Sequence, residues 1–262
     1  MPEGHKTHHL ANQHRSLLTD TAPVITSPQG RFASDARKVS RRTIESIEAV
    51  GKQLFYHFEG NRIVQVHLGR YGSFQQQTSP PAKPVGQVRM RVRTDDVTID
   101  LRGPTRCRVI HPDLHQEIID SLGPDPLAGG QPKPVFQALS ASPKPIAALL
   151  LDQSIIAGIG NILRAEILFE IGMAPSLPGC DLTPTQLRQL WKSTVAMMKK
   201  SLRYGQIISV TAKEAGKPLT KLGRKERFRV YGCEHCPRCG HTIATENFAS
   251  RKLYYCPSCQ AN

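Results

Sequence analysis

The sequence contains few aromatic residues, few acidic residues and no long apolar run. Aromatic residues make up 6% of the chain, and it has one tryptophan. No stretch approaches the roughly 18 apolar residues of a membrane-spanning helix, and the first residues, Met1 to Lys6, form no apolar signal-peptide segment. We therefore expect neither a secreted nor an integral membrane protein, and we expect a cytoplasmic location.

The scarcity of acidic residues leaves the chain strongly basic. Lysine and arginine number 35 against 21 aspartates and glutamates, which gives a formal net charge of +14. Residues 201–232 are a basic stretch with eight lysines or arginines and two glutamates. This balance favours a polyanionic partner, nucleic acid ahead of acidic lipid, and the alternative is a surface charged for solubility.

The first half of the chain has the pattern of a β domain led by one helix. Hydrophobic residues make up 39% of 262 residues, enough for two or three small units. A helix is predicted from about Glu3 to Leu18, and short β-like runs separated by turn residues follow it. These runs lie at residues 24–26, 53–58, 62–67, 88–92 and 97–101. They predict a β-sandwich or barrel.

One of these runs shows a regular alternation of arginine and apolar residues. Arg89, Arg91 and Arg93 alternate with Val88, Met90 and Val92. Because successive side chains of a strand point to opposite faces, the arginines are predicted to share one face and the apolar residues the other.

The second half changes character after a segment rich in glycine and proline. Residues 123–132 break the β pattern and are predicted to be a linker, and the periodicity from 134 to 204 is helical. We predict an α+β, multidomain protein. Its parts are an N-terminal helix plus β-sandwich domain (1–120), a linker (121–133), a helical domain (134–222) and a C-terminal β-hairpin domain (223–262).

The cysteines cluster at the C-terminal end. Two Cys-x-x-Cys turns, at 236–239 and 256–259, are separated by sixteen residues, a length that suits a β-hairpin. Cys236, Cys239, Cys256 and Cys259 would supply four thiolates and leave no open position, so they predict one structural Zn²⁺ that folds the module. Disulfides or free thiols are the alternatives.

A second register of the cysteines stays open. Cys233 precedes Cys236 by the same spacing, and His235 and His241 are nearby. The usual hairpin length favours Cys236 and Cys239 over Cys233, which is then a free or packed thiol.

A glycine-rich turn precedes one of the predicted helices. Gly158-Ile159-Gly160-Asn161 leads into an apolar helical pattern, so Asn161 is predicted to be the N-cap. N–H groups at such a helix start bind phosphate, and the Asn amide can add a donor. A tight turn between core helices is the alternative, and a dinucleotide site is discounted because Leu163 replaces the third glycine.

The chain begins with residues that could carry covalent chemistry. Removal of Met1 would expose the secondary amine of Pro2, and α-amino groups titrate near neutral pH, at about 7.7–8.0. Attack of this amine on a sugar C1′ gives an iminium, an electron sink for elimination, and Glu3 can shuttle protons beside it. The alternative is an ordinary chain start.

Taken in order, these parts resemble the formamidopyrimidine-DNA glycosylase/endonuclease VIII family of base-excision-repair enzymes. The resemblance covers nearly the whole chain and implies a central helix-two-turns-helix domain and a C-terminal zinc finger. Five motifs carry it: Met1-Pro2-Glu3-Gly4, Gly51-Lys52, the interdomain signature at 122–127, the segment 152–161, and the four cysteines with Arg251 at the finger tip.

The resemblance implies a role for each of these residues. Pro2 would displace the damaged base and form a Schiff base, and Glu3 would act as general acid toward the sugar and the base. Lys52 would hold a phosphate and assist β-elimination, and Arg251 would contact the phosphate flanking the lesion and assist δ-elimination. Asn161 and the adjacent N–H groups would grip the DNA backbone. The implied product is a one-nucleotide gap with phosphates on both ends.

The resemblance also implies a loop that fills the void left by a flipped nucleotide. The hairpin-like turn at 67–72 matches it, and Arg70 and Tyr71 are planar groups suited to stacking among bases; a packed hairpin tyrosine is the alternative. Arg106 falls where the formamidopyrimidine branch carries a helper arginine. The implied partner is double-stranded DNA containing damaged bases or abasic sites, bound by a monomer and, in a bacterium, associated with the nucleoid.

Departures from the family patterns bear on the substrate. The formamidopyrimidine branch continues its Met-Pro-Glu-x opening with Pro-Glu, where this chain has His5-Lys6, and Cys107 replaces that branch's Phe after the helper arginine. The Met-Pro-Glu-Gly start and Tyr71 favour the endonuclease VIII branch, although its best-known loop reads Gln-Leu-Tyr, and this branch implies oxidised pyrimidines. The alternatives are a glycosylase for oxidised purines (8-oxoguanine or formamidopyrimidine) and a non-catalytic, zinc-dependent protein that binds damaged DNA.

Overall fold

The computed structural model describes residues 2–261, so the predicted removal of Met1 concerns a residue outside the described range. The chain divides into two compact units. The first comprises Pro2 and Thr7–Ser121, and the second comprises Glu3–Lys6 and the chain from Leu122 onward. Within the described range, no helix combines the length and apolar character needed to span a membrane.

The first unit contains the predicted N-terminal helix and β-sandwich. Its helices are α1 (Gly4–Leu18), α2 (Ala33–Val39) and α3 (Pro112–Asp120). Its strands are β1 (Val24–Thr26), β2 (Ile44–Val50), β3 (Gln53–Phe58), β4 (Arg62–His67), β5 (Ser73–Thr78), β6 (Val88–Arg93), β7 (Val97–Arg102) and β8 (Arg106–Ile110). One antiparallel sheet has the order β1-β6-β7-β5, and the other has the order β2-β3-β4-β8.

Period-2 alternation builds the main core of the sandwich. On β3, Leu54, Tyr56 and Phe58 belong to the large buried cluster and are at most 2% exposed. Phe55 points to the opposite face of the sheet, where apolar side chains of α3 pack against it. The second sheet therefore has one face in the core and one face covered by a helix.

Three strands and the helices α2 and α3 were not predicted from the sequence. The clearest case is β5, whose sequence Ser-Phe-Gln-Gln-Gln-Thr is mostly polar and exposed. It is the last strand of its sheet, where it pairs with β7. A strand held by pairing on one side needs no apolar alternation, so nothing local marks it.

The alternation predicted for β6 holds from Met90 to Arg93, where Arg91 is buried, and an irregular register between Val88 and Met90 interrupts it. Met90 and Val92 are at most 3% exposed and belong to the main core. On the other face, the guanidinium of Arg91 donates two hydrogen bonds to Asp100 on β7, at 2.6 and 2.8 Å. The Asp100 side chain is fully buried, so this is a buried ion pair and not a solvated charge.

The turn at 67–72 is not a hairpin, which corrects the sequence interpretation. β4 pairs with β3 and β8, whereas β5 pairs with β7 in the other sheet. The segment is therefore a corner between the two sheets. Its glycine-rich composition encodes a tight turn, but strand pairing is non-local and decides which sheet the next strand joins.

The second unit is helical and ends in a hairpin. Its helices are α4 (Pro132–Ser140), α5 (Ile146–Leu149), α6 (Asn161–Glu170), α7 (Pro184–Tyr204) and α8 (Ala212–Ala215), and its strands are β9 (Ala244–Phe248) and β10 (Arg251–Tyr255). A capping box between Thr183 and Gln186 starts α7. Residues 161–169 of α6 are all buried, so this helix forms the centre of the unit.

The segment predicted to be a linker is bonded to the second unit. The N–H of Gly123 donates to the Gln153 carbonyl at 2.8 Å, and the N–H of Ala157 donates to the Pro124 carbonyl at 3.1 Å. A Cβ on Gly123 would lie 2.4 Å from the Ile155 backbone. The glycine is therefore required for close packing and does not confer a flexible tether.

The buried ion pair of the sandwich generates a stability prediction. Asp100→Ala would leave the Arg91 guanidinium buried without its counter-charge, and we expect the free energy of unfolding to fall by about 3–5 kcal/mol. Lys38→Ala is the matched control, because the ion pair that it breaks, between Lys38 and Asp35, lies at the surface: the Lys38 side chain is 49% exposed. This change should lower the free energy of unfolding by about 0–1 kcal/mol. Urea unfolding measures both, and equal losses would contradict the interpretation.

Candidate functional site

The carboxylate of Glu3 binds the start of helix α6. Its Oε2 accepts hydrogen bonds from the N–H of Gly160 at 2.9 Å and of Leu163 at 3.2 Å, and its Oε1 accepts one from Ile162 at 2.8 Å. Glu3 is 0% exposed. Three N–H donors and the positive end of the helix dipole favour the ionised carboxylate, which explains how a charge is accommodated in a fully buried position.

Glycines make this approach possible. A Cβ on Gly160 would lie 2.5 Å from Cδ of Glu3, and a Cβ on Gly4 would lie 2.7 Å from Cα of Gly158. The N–H of Gly4 donates to the Gly158 carbonyl at 2.8 Å. The glycines of the predicted turn therefore serve the close approach of the chain start to α6.

Two expectations for this turn need correction. Gly160 occupies the N-cap position and Asn161 is the first residue of α6, so Asn161 is not the N-cap. The N–H groups of Ile162 and Leu163, which we expected to bind phosphate, already donate to Glu3. The helix start does bind an anion, but the anion is a side chain of the same protein.

Asn161 instead joins α6 to the hairpin. Its Nδ2 donates to the Lys252 carbonyl at 2.8 Å, and its Oδ1 accepts from Nη2 of Arg164 at 2.6 Å. Arg164 is fully buried, and its Nη1 donates to the Ala147 carbonyl at 3.3 Å. Burial, and then the charge of Arg251, lower the pKa of Arg164 to about 10. This network holds the hairpin at the residue that follows Arg251.

Glu166 makes a second connection between α6 and the segment before the cysteines. Its carboxylate is 0% exposed and accepts hydrogen bonds from the N–H groups of Arg229, Val230 and Tyr231, at 3.0, 3.0 and 2.7 Å. Sequence reasoning missed both Arg164 and Glu166. The available signal was the presence of charged residues inside an otherwise apolar helix, which is unusual for a buried element.

The four predicted cysteines form one cluster. Sγ of Cys236 lies 3.8 Å from Sγ of Cys259, and Sγ of Cys239 lies 3.4 Å from Sγ of Cys256. All four sulfurs lie within 4.8 Å of one another. A tetrahedral zinc site with Zn–S bonds of about 2.3 Å needs sulfurs roughly 3.8 Å apart, so the cluster fits one structural Zn²⁺.

Cys233 is not a member of this cluster, which settles the open register. Its Sγ lies 3.5 Å from the Phe228 carbonyl. Burial raises the pKa of the Cys233 thiol to about 11, and its sulfur is not among the four that cluster. The equal spacing from Cys233 to Cys236 is therefore coincidental.

The hairpin above the cysteines ends in a tight turn that presents Arg251. Ala249 and Ser250 both have positive φ, 50° and 60°, as a two-residue turn between paired strands requires. Arg251 is exposed and follows directly as the first residue of β10. The predicted position of this cation near the finger tip is confirmed.

In the first unit, three strand ends bring Lys52 and Arg106 to one edge of the second sheet. Lys52 follows Gly51 in the turn before β3, whose first residue, Gln53, pairs with His67. His67 pairs in turn with Arg106 at the start of β8. Burial lowers the pKa of His67, and the positive charges of Lys52 and Arg106 lower it further. The edge is therefore electropositive.

The corner between β4 and β5 presents Arg70 and Tyr71. Tyr71 is 77% exposed, and the guanidinium carbon of Arg70 lies 5.3 Å from the centre of its ring. The packed-tyrosine alternative is therefore wrong. A Cβ on Gly69 would lie 1.7 Å from Oγ1 of Thr105, so the corner packs closely against the residues that precede Arg106.

Pro2 is half-buried and belongs to the first unit, whereas Glu3 belongs to the second. Because the two residues are joined by a peptide bond, the anchoring of Glu3 also restricts the position of Pro2.

The contact between Glu3 and Gly160 generates a double-mutant test. Gly160→Ala places a Cβ against the Glu3 carboxylate, and we expect it to lower the free energy of unfolding by about 1–3 kcal/mol. If this contact is the cause, the cost should shrink clearly in a Glu3→Ala background. Gly223→Ala is the control, since its Cβ would meet only the Glu226 side chain. The same cost in both backgrounds would show that the clash is not with Glu3.

The cysteine cluster generates a second test at this site. A mercurial thiol reagent should release zinc from the wild-type chain. The Cys239→Ser variant should release none, because it lacks one of the four thiolate ligands. Cys233→Ser should release as much zinc as wild type. Equal losses in the two variants would mean that Cys233 also ligates the metal.

Family models match three consecutive parts of the chain. The formamidopyrimidine-DNA glycosylase N-terminal domain matches residues 1–107, and the formamidopyrimidine-DNA glycosylase H2TH domain matches residues 122–213. The zinc finger found in FPG and IleRS matches residues 234–262, a range that contains the four clustered cysteines and leaves out Cys233. The matches follow the order of the motifs in the sequence.

Known relatives cover the whole chain. Endonuclease 8 1 of Mycobacterium tuberculosis is 38% identical and covers 99% of this chain and 100% of its own. Formamidopyrimidine-DNA glycosylase of Thermus thermophilus is 29% identical, over 90% of this chain and 89% of its own. Lactococcus lactis formamidopyrimidine-DNA glycosylase bound to AP-site DNA shares the fold, with a TM-score of 0.82 at 21% identity and coverage of 99% and 100%. The chain therefore belongs to the formamidopyrimidine-DNA glycosylase/endonuclease VIII family of base-excision-repair DNA glycosylases.

Proposed function

We propose that this chain removes oxidised pyrimidine bases from double-stranded DNA and then nicks the strand, as a bifunctional DNA glycosylase and AP lyase. The observation that carries the proposal is the buried Glu3 carboxylate on the N–H groups of α6, one residue after Pro2. A protein that only binds damaged DNA has no need of a buried acid beside a terminal amine. Removal of Met1 is part of the proposal.

In the first stage, the Pro2 nitrogen replaces the base on C1′ of the sugar. The ring nitrogen of Pro2 attacks C1′, the bond from C1′ to the base breaks, and the base leaves with the electron pair. The nitrogen gives up its proton, for which the ionised Glu3 carboxylate is the adjacent acceptor. Glu3 then returns the proton to the sugar ring oxygen as the bond from C1′ to that oxygen breaks, which leaves an iminium between Pro2 and C1′.

The second stage cleaves the DNA strand. The iminium withdraws electrons, so a proton is lost from C2′ and the 3′ phosphate leaves by β-elimination; δ-elimination then expels the 5′ phosphate. Lys52 would hold a phosphate and assist the first elimination, and Arg251 would contact the flanking phosphate and assist the second. Hydrolysis of the iminium frees Pro2 and leaves a one-nucleotide gap.

The remaining predicted residues would bind the distorted duplex. An exposed, stacked Arg70–Tyr71 pair suits the filling of the space that an extruded nucleotide leaves. Arg106, at the start of β8, would assist this contact with the DNA. Asn161 would act through the hairpin, because its side-chain amide is bonded to Lys252 beside Arg251. The net charge of +14 provides the attraction to the DNA backbone.

The proposed preference for oxidised pyrimidines rests on the similarity to the endonuclease VIII branch of the family. The chain is 38% identical to a relative named Endonuclease 8 1, over its full length, and 29% identical to a formamidopyrimidine-DNA glycosylase. The second candidate function is a glycosylase for oxidised purines, and the similarity to the formamidopyrimidine-DNA glycosylase supports it. Duplexes with thymine glycol or with 8-oxoguanine distinguish the two.

We also propose that the enzyme acts as a monomer in the cytoplasm, on nucleoid DNA in a bacterium. We keep the division into residues 1–120, 121–133, 134–222 and 223–262 as part of this proposal. Family matches at 1–107, 122–213 and 234–262 support that division.

Borohydride reduction during incubation with abasic-site DNA tests the mechanism. The wild-type chain should form a stable protein–DNA adduct, because borohydride reduces the iminium. A chain with an uncleaved N-terminal extension should bind the DNA but form no adduct, since the Pro2 nitrogen is then an amide. Glu45→Gln, an exposed change on β2, should behave as wild type. Binding without an adduct in the wild-type chain would support a non-catalytic damage-binding protein instead.

A further inference from the structure

Three side chains of the first unit converge on the outer face of the second sheet. Nε2 of His57 and Nε2 of His115 each lie 2.8 Å from Oε1 of Glu48. All three ligand atoms lie within 4.8 Å of one another. The two imidazole rings meet nearly perpendicular, with their centres 5.1 Å apart. None of these residues has a part in the reaction proposed above.

Three different elements bring the side chains together. Glu48 on β2 pairs with Phe55 on β3, and Ser46 pairs with His57, so Glu48 and His57 are diagonal neighbours on the face that Phe55 shares. His115 comes from α3, which packs its apolar side chains on the same face. The ring of His115 also contacts Phe55 edge-on, at 4.6 Å between centres. Apolar packing therefore holds His115 over the other two groups.

Hydrogen bonding accounts for only one of the two histidines. Nε2 of His57 forms a hydrogen bond with Glu48. Nε2 of His115 is equally close to the carboxylate and is buried, but it does not form a well-aligned hydrogen bond with Glu48. At 2.8 Å the distance is suitable, so the alignment is what fails. A buried nitrogen with a poorly aligned partner is unfavourable, and a bound cation would supply a better one.

We propose that Glu48, His57 and His115 form a second metal site, which binds a divalent transition-metal ion of the zinc class. Imidazole nitrogens and a carboxylate oxygen are ligands that zinc, cobalt and nickel accept in proteins. Bonds of about 2.0–2.2 Å place neighbouring ligand atoms roughly 3 Å apart, close to the spacing observed. Both imidazoles would present the Nε2 lone pair and carry the ring proton on Nδ1.

The environment of the cluster suits reversible binding. The exposed fractions of the Glu48, His57 and His115 side chains are 40%, 23% and 16%, which leaves an entry path for a hydrated ion. Three protein ligands leave positions for water, unlike the closed four-sulfur site.

A bound ion would join α3 to β2 and β3. Because only the folded unit brings the three ligands together, binding stabilises the fold, and the effect grows with the concentration of free ion. The site would be independent of the zinc finger, since it belongs to the first unit and uses no sulfur.

Cobalt titration of the full chain, with zinc already in the four-cysteine site, tests this proposal. We expect one further equivalent of Co²⁺ to bind and give weak ligand-field absorption, without the intense thiolate-to-cobalt charge transfer of a sulfur site. The Tm should rise with the Co²⁺ concentration. Neither readout requires the chain to cleave DNA. A failure of this proposal can therefore be distinguished from a failure of the proposed enzymatic function.

Matched variants decide whether the three residues are the ligands. Glu48→Gln and His115→Ala should abolish the cobalt absorption and the rise in Tm, while the circular dichroism of Glu48→Gln stays that of the wild type. Glu45→Gln on the same strand and His111→Ala at the start of α3, both exposed, should bind as wild type. The proposal is overturned if the wild type binds no cobalt beyond the four-cysteine site, or if the two sets of variants bind alike.

Discussion

The hydrogen bonds between the Glu3 carboxylate and the start of α6 are the interaction on which the rest of the site depends. A hydrogen bond to a charged group is worth about 1.5–3 kcal/mol, and Glu3 accepts three with no exposure to water. Glu3 is as buried as a core residue, and its neighbour Pro2 is restricted with it.

Helix α6 also binds the β9–β10 hairpin and the segment before the cysteines. Its first turn binds Glu3, its Asn161 and Arg164 bind the Lys252 carbonyl, and its Glu166 binds three N–H groups at 229–231. A buried helix with so many polar partners is costly to build, because each group must find its partner or destabilise the fold. The gain is that Glu3 and the residue next to Arg251 are both bound to one rigid element of the second unit.

Local patterns in the sequence were sufficient for some features and not for others. Alternation and turn residues predict β3 and β4, and the Cys-x-x-Cys spacing identifies the four clustered cysteines, because these signals lie within a few residues. Local patterns do not predict the hydrogen-bond partner of a buried polar group, because the two partners can be far apart in the sequence. Gly160 and Glu3, for example, are 157 residues apart. The predicted N-cap role of Asn161 was wrong, and local sequence could not show that the N–H groups of Ile162 and Leu163 donate to Glu3. The corner at 67–72 was misread as a hairpin because pairing is equally non-local.

The most direct test of the account is to find which atom of the protein becomes bonded to DNA. Wild-type chain is reduced with borohydride on abasic-site DNA, digested, and the modified peptide is sequenced by mass spectrometry. We expect the deoxyribose remnant on the nitrogen of Pro2, in a peptide that begins at Pro2. A remnant on the side chain of Lys52 or another lysine, or a modified peptide that still carries Met1, would contradict it.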